Sequence, residues 1–150
     1  MAKAKKARLA AEAWKRVFTF FMQTRSQRDS VLARLALTPN DVRALTELDV
    51  TTGRTMRSLA EEWGCDASNA TWIVDRLEKR GLVERRSKPG DRRVKLVVLT
   101  PAGAKTRKQL LDGMFEPPPE LLALPQKTLE VLRDSLPGRP KKPKSSRGRS

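Results

Sequence analysis

The chain has 150 residues, enough for one domain with its own core, and its 32 basic and 17 acidic residues give a formal net charge of +15. That excess points to a polyanionic partner, nucleic acid or an acidic membrane surface. A lone cysteine, Cys65, excludes an internal disulfide, and the absence of histidine removes the commonest metal ligand and proton shuttle.

In chain order, residues 8–36 lack Gly and Pro and carry Leu9, Trp14, Val17, Phe18, Phe21, Met22, Val31, Leu32 and Leu35 near helical spacing. They predict one long helix, bent near Gln27–Ser30, with a basic flexible segment 1–7 before it. Thr38-Pro39-Asn40-Asp41 starts a second helix, with Thr38 as cap and Pro39 in the first turn, where its missing N–H costs nothing. A short helix, 55–63, ends at Gly64. Asp66 then caps a helix to about Arg80, with Ala70, Ile73, Val74 and Leu77 as its buried stripe. Residues 82–86 and 94–99 read as two strands joined by a loop containing Pro89-Gly90. Thr100-Pro101 opens a helix to about Met114, the prolines 117–119 break it, and a last helix is expected over 125–136. From Pro137 onward the composition predicts a disordered basic tail.

Most of the charge lies at the ends. Lys3, Lys5, Lys6 and Arg8, with Arg139, Lys141, Lys142, Lys144, Arg147 and Arg149, are ten positive charges without an acid among them, leaving +5 for residues 9–138. Inside the expected fold, 76–95 holds nine basic residues against three acids. The same stretch falls in the most informative unit: a short helix, a Gly-containing turn, a capped second helix and a hairpin, which is a helix-turn-helix with a wing. The fold class expected is mainly α with a small β-hairpin wing. Off the buried stripe of the second helix lie Ser68, Asn69 and Thr71, short donor/acceptors suited to bases or phosphates, and Arg76, placed to reach a phosphate. Trp72 is expected on the exposed side, where it would touch a thymine methyl or a sugar, or cover the domain's edge. At the wing, Asp91 can orient Arg92 or Arg93 by a charge-assisted bond, and an arginine held that way suits a narrow minor groove.

Ser58-Leu59-Ala60-Glu61, Ala70-Thr71, the run Val74 to Val83, Asp91-Arg92-Arg93 and Leu99-Thr100-Pro101-Ala102-Gly103 occur in an order that closely resembles the MarR family of winged-helix regulators. The resemblance implies a homodimer built on N- and C-terminal helices (about 8–36 and 101–136), with a winged helix-turn-helix (about 38–100) on each subunit. It implies binding to a pseudo-palindromic operator, mostly as a repressor, and release by a small aromatic or phenolic ligand. It makes Arg93 the minor-groove residue and Asp91 its support. The triple proline departs from the family's longer helix in this region.

Trp14, Phe18 and Phe21 are candidates for dimer core or for an effector pocket. Cys65 reads as a small buried hydrophobe in the turn rather than a redox switch. No metal, cofactor or catalytic set is expected, so an enzyme is disfavoured. A non-specific architectural nucleic-acid binder is the alternative, favoured by the basic ends. No apolar run approaches the ~20 residues that span a bilayer, and no apolar stretch of signal-peptide type follows the basic start, so a cytoplasmic protein is expected.

Overall fold

The computed structural model describes residues 1–138. The tail beyond Gly138, expected to be disordered, lies outside the described residues. The described chain divides into two compact units, one spanning Met1–Glu116 and the other beginning at Pro117. The first holds helices α1 (Ala2–Gln23), α2 (Arg25–Arg34), α3 (Pro39–Glu47), α4 (Met56–Trp63), α5 (Ala67–Lys79) and α6 (Pro101–Met114), with strands β1 (Arg54–Thr55), β2 (Val83–Lys88) and β3 (Asp91–Leu99). The second holds α7 (Pro119–Leu122) and α8 (Gln126–Ser135). Among the described residues no helix is long and apolar enough to cross a membrane.

The long first helix is two helices, and the break falls at Thr24 rather than near Gln27–Ser30. Thr24 Oγ1 donates to the carbonyls of Phe20 and Phe21, at 3.0 and 3.2 Å. Arg28 reaches back to donate to Thr24 Oγ1 (3.0 Å) and to the Phe21 carbonyl (2.5 Å). The Phe20 carbonyl also accepts the Thr24 N–H at 3.1 Å, so side chains and the cap backbone together serve the carbonyls of this helix end. At the other end α1 starts at Ala2, so residues 2–7 are helical. Ala2, Ala4 and Ala7 are the strongest helix formers, and they alternate with the lysines that suggested a flexible segment.

The core lies under α3 to α6 and the sheet. Leu45 and Leu48 near the end of α3, Leu59 of α4, Ala70, Val74 and Leu77 of α5, Val97 and Leu99 of β3 and Leu110 of α6 are buried. The stripe on α5 is the one its spacing predicts. The sheet has the order β1-β3-β2, all antiparallel. The hairpin was expected; β1 was not, being two residues that pair Arg54 with Val97 and Thr55 with Leu96.

Four helices of this unit start on a side-chain cap. Thr38, Thr55, Asp66 and Thr100 accept from the backbone N–H of Asp41, Ser58, Asn69 and Gly103. Each satisfies an orphan donor and is worth about 1 kcal/mol. Thr38 and Asp41 form a reciprocal capping box, the Thr38 N–H donating to Asp41 Oδ2 at 2.7 Å. At Thr100 the cap also joins elements: its hydroxyl donates to the Gly81 carbonyl at 2.6 Å and its N–H to the Leu82 carbonyl at 3.1 Å. Gly103 then passes so near Leu82 that a Cβ there would stand 1.9 Å from the Leu82 carbonyl oxygen. Only a residue without a side chain fits this approach.

Candidate nucleic-acid interface

The helix-turn-helix is built as its sequence suggested. α4 ends at Gly64 in the left-handed conformation (φ 61°), Cys65 fills the turn half-buried, and Asp66 starts α5. Ala70, Ile73, Val74 and Leu77 face inward, which leaves Ser68, Asn69, Thr71 and Trp72 exposed. The cap of α5 is Asp66, not Ser68, so the Ser68 hydroxyl is not used at the helix start. Thr71 Oγ1 donates to the Ala67 carbonyl at 2.8 Å and keeps its lone pairs for an outside donor. A cavity of about 210 Å³ beside the turn is lined by Asn40, Arg43, Trp63, Gly64, Cys65, Asn69 and Ile73.

Arg76 departs from its expected use. Its Nη2 donates to Thr38 Oγ1 at 2.9 Å and to the carboxylate of Asp41, which is 1% exposed. The guanidinium also lies 5.2 Å from the centroid of the Trp72 ring. Expected to reach a phosphate, Arg76 instead ties α5 to the start of α3 and braces Trp72. Other cations are spent in the same way. Arg80 donates to the carbonyls of Leu35 and Ala36, the latter a non-glycine residue at φ 50°, and Arg43 to that of Trp63. Arg107 donates to the Leu48 carbonyl, and Arg85 clamps Asp75 and Glu78 of α5 to β2. Arg86 pairs with Glu84. Of the nine basic residues in 76–95, those in no ion pair or carbonyl bond among the described residues are Lys79, Lys88, Arg92, Arg93 and Lys95.

The last four of these sit on the wing. Pro89-Gly90 makes a two-residue turn between the paired Lys88 and Asp91, with Gly90 at φ 83°, a conformation that excludes most side chains. The next pair is Ser87 with Lys95, so Arg92, Arg93 and Val94 have no partners on β2. This bulge bends the strand and re-aims its side chains. Arg92 and Arg93 are exposed. Asp91 supports Arg93 through the main chain: its Oδ1 accepts the Arg93 backbone N–H at 3.0 Å. The expected carboxylate–guanidinium bond is absent, and both guanidinium groups are left for an outside anion. β3 thus begins at Asp91, inside what the sequence suggested was loop.

A model of the MarR family matches residues 37–95. That stretch, from the start of α3 into the wing, is similar to the MarR family. The chain is 34% identical over 82 residues to the uncharacterised HTH-type transcriptional regulator YcgE of Bacillus subtilis (strain 168), covering 55% of this chain and 53% of YcgE. It is 40% identical over 58 residues to YfiV of the same organism, also an uncharacterised HTH-type transcriptional regulator, covering 39% and 34% of the two chains. The chain therefore spans about half the length of the first of these curated relatives and about a third of the second. Among solved structures, the multiple antibiotic-resistance repressor (MarR) of Listeria monocytogenes 4b F2365 matches with a TM-score of 0.72 at 21% identity, over 87% of this chain and 91% of that one. MepR of S. aureus in its DNA complex matches with a TM-score of 0.68 at 19% identity, over 78% and 89%. These likenesses establish a mainly helical winged-helix fold.

The aromatic candidates of the N-terminal helix remain on its surface. Trp14, Phe18 and Phe21 are all exposed, with Trp14 and Phe18 ring centroids 6.4 Å apart and the Arg28 guanidinium 3.8 Å from the Phe21 centroid. A cavity of about 510 Å³ on the same helix is lined by Glu12, Lys15, Arg16, Thr19, Phe20 and Gln23, none of them a candidate. Sequence reasoning missed Asp41 as more than part of a helix start. Its spacing from Thr38 signals the capping box, but nothing local announces that Arg76 will find it.

Proposed function

We propose that this chain is a DNA-binding transcriptional regulator acting in the cytoplasm as a homodimer on a pseudo-palindromic operator, as a repressor. The observation that carries the reading is the pairing of an exposed polar face on α5, Ser68, Asn69, Thr71 and Trp72, with a bulged wing whose Arg92 and Arg93 form no ion pair among the described residues. In this reading α5 enters the major groove, and Arg93, its backbone pinned by Asp91, reaches the minor groove, where the potential is most negative. Arg92, Lys88 and Lys95 neutralise phosphates, and Arg76 keeps α5 fixed on α3. The DNA complex of MepR supports the same partner for this fold. The exposed Trp14, Val17, Phe18 and Phe21 lie along α1 at helical spacing, and an exposed apolar face of this kind supports a second subunit. A small aromatic ligand would release DNA by changing the spacing of the two α5 helices, since both must fit successive turns of the groove.

Selection of bound DNA from a random pool tests the reading. The expected product is a two-fold symmetric site with half-sites about 10 bp apart, preferred over random DNA by about 10³-fold or more. A pool that yields no enriched sequence sinks it, and binding that barely discriminates makes the chain an architectural binder.

A further inference from the structure

Trp72 is the feature that the fold leaves unexplained. It stands at the middle of α5, 56% exposed, between residues whose side chains suit hydrogen bonding. A large indole in water gives nothing to the core, and among the described residues its ring nitrogen makes no hydrogen bond. Yet the ring is not loose. The Arg76 guanidinium lies 5.2 Å from its centroid, within the range at which a cation is attracted to an aromatic face. That guanidinium is itself anchored, because its Nη2 donates to Asp41 and Thr38 and Asp41 is buried. The order is Asp41 to Arg76 to Trp72: a buried carboxylate fixes a cation, and the cation fixes a ring.

We propose that the Asp41–Arg76–Trp72 array makes Trp72 a specificity-determining residue that reads the C5-methyl group of a pyrimidine in the major groove. This rests on the DNA-binding reading given above and adds a base class to it. The major groove offers one apolar group per A·T pair, the thymine methyl, and apolar side chains recognise it by contact. A prefixed indole meets that methyl without losing rotamer freedom on binding, which is the benefit of preorganisation. Trp72 would then set a thymine in each half-site, while Ser68 and Asn69, one turn nearer the start of α5, read polar edges. Arg76 is a positioning residue in this scheme and touches no base.

The test takes the operator found by selection and replaces its thymines by uracil, one symmetric pair of positions at a time, so that only methyl groups are removed. Wild-type protein should lose about fourfold in affinity per half-site at one position, the yield of burying one methyl group. Trp72→Ala should bind thymine and uracil alike at that position while keeping its discrimination elsewhere. Arg76→Lys keeps a charge for Asp41 but loses the flat guanidinium, and should lower the same discrimination. If the operator is bound selectively and uracil is tolerated at every position, or if Trp72→Ala keeps the penalty, the proposal is overturned while the DNA-binding reading stands. If Arg76→Lys discriminates as well as wild type, the positioning role is overturned. A chain that selects no DNA overturns both readings.

Discussion

Replacing Arg76 by Ala separates a staple from a phosphate contact. The change strands the Asp41 carboxylate, 1% exposed, without its cation. Breaking a fully buried ion pair from one side costs about 3–5 kcal/mol. Here the cost is smaller for two reasons: the Arg76 side chain is 30% exposed, so water can enter once it is gone, and the Thr38 N–H still donates to Asp41 at 2.7 Å. A loss of about 2–3 kcal/mol is expected, which at a urea dependence of about 1–3 kcal/mol/M moves the unfolding midpoint down by about 0.7–3 M at fixed protein concentration. Adding Asp41→Asn to Arg76→Ala should recover part of the loss, because no charge then stays buried while the capping oxygen remains. On operator DNA, below the unfolding range, the salt dependence of binding should be unchanged. The reasoning is refuted by the opposite pattern: an unmoved midpoint together with a log–log salt slope reduced by about one unit per subunit, the signature of a lost phosphate contact.

Arg93→Ala should leave the midpoint in place, since the side chain is exposed and in no ion pair, and should weaken operator binding about tenfold or more, the order of a lost charge-assisted hydrogen bond; an unchanged titration removes the wing from the mechanism. Gly103→Ala should destabilise the first unit by about 1–3 kcal/mol, because the new methyl meets the Leu82 carbonyl 1.9 Å away and the start of α6 must move; a wild-type melting curve would contradict this packing. Asp49 accepts from the Thr51 N–H and hydroxyl and from the Thr52 N–H, and these bonds, the Thr51 backbone first, hold its carboxyl below the usual value of 3.8. A lowered folded-state value means that its stabilisation is complete above about 3.8 and is lost as pH falls through the lower folded value. Asp49→Asn should therefore lower stability at neutral pH and flatten the acid limb, so that its stability curve converges on the wild-type one as pH falls below about 3.8; identical curves at neutral and acid pH would show that the turn does not favour the charged form.

The elements most legible in the sequence were those whose signals are local. Thr38, Thr55, Asp66 and Thr100 each cap through an N–H three residues on, and the α5 stripe repeats within one helix. The MarR-type series of residues likewise proved to be largely a list of joints: Leu59 and Ala60 in the core, Thr100 bonded to Gly81, Gly103 pressed on Leu82. What stayed hidden depends on partners distant in the chain. β1 is two residues long and exists only because β3 pairs with it. Arg76 looked free because Asp41 stands 35 residues earlier. The start of α1 was misjudged because its lysines outweighed its alanines, and the break moved to Thr24 because Arg28 and a hydroxyl, not a Gly or Pro, end the helix. On the wing, Asp91 was assigned to the wrong atoms: residue type alone does not tell a main-chain N–H from a guanidinium.

The junction at Thr100 leaves no slack between the last strand and the helix after it. A rod whose first turn rests flush on a carbonyl, with a hydroxyl latched to the neighbouring loop, cannot tilt or slide without dragging the base of the hairpin along. Anything that displaces α6 is therefore transmitted to the wing as a lever arm transmits a push, and the glycine at position 103 is the fulcrum.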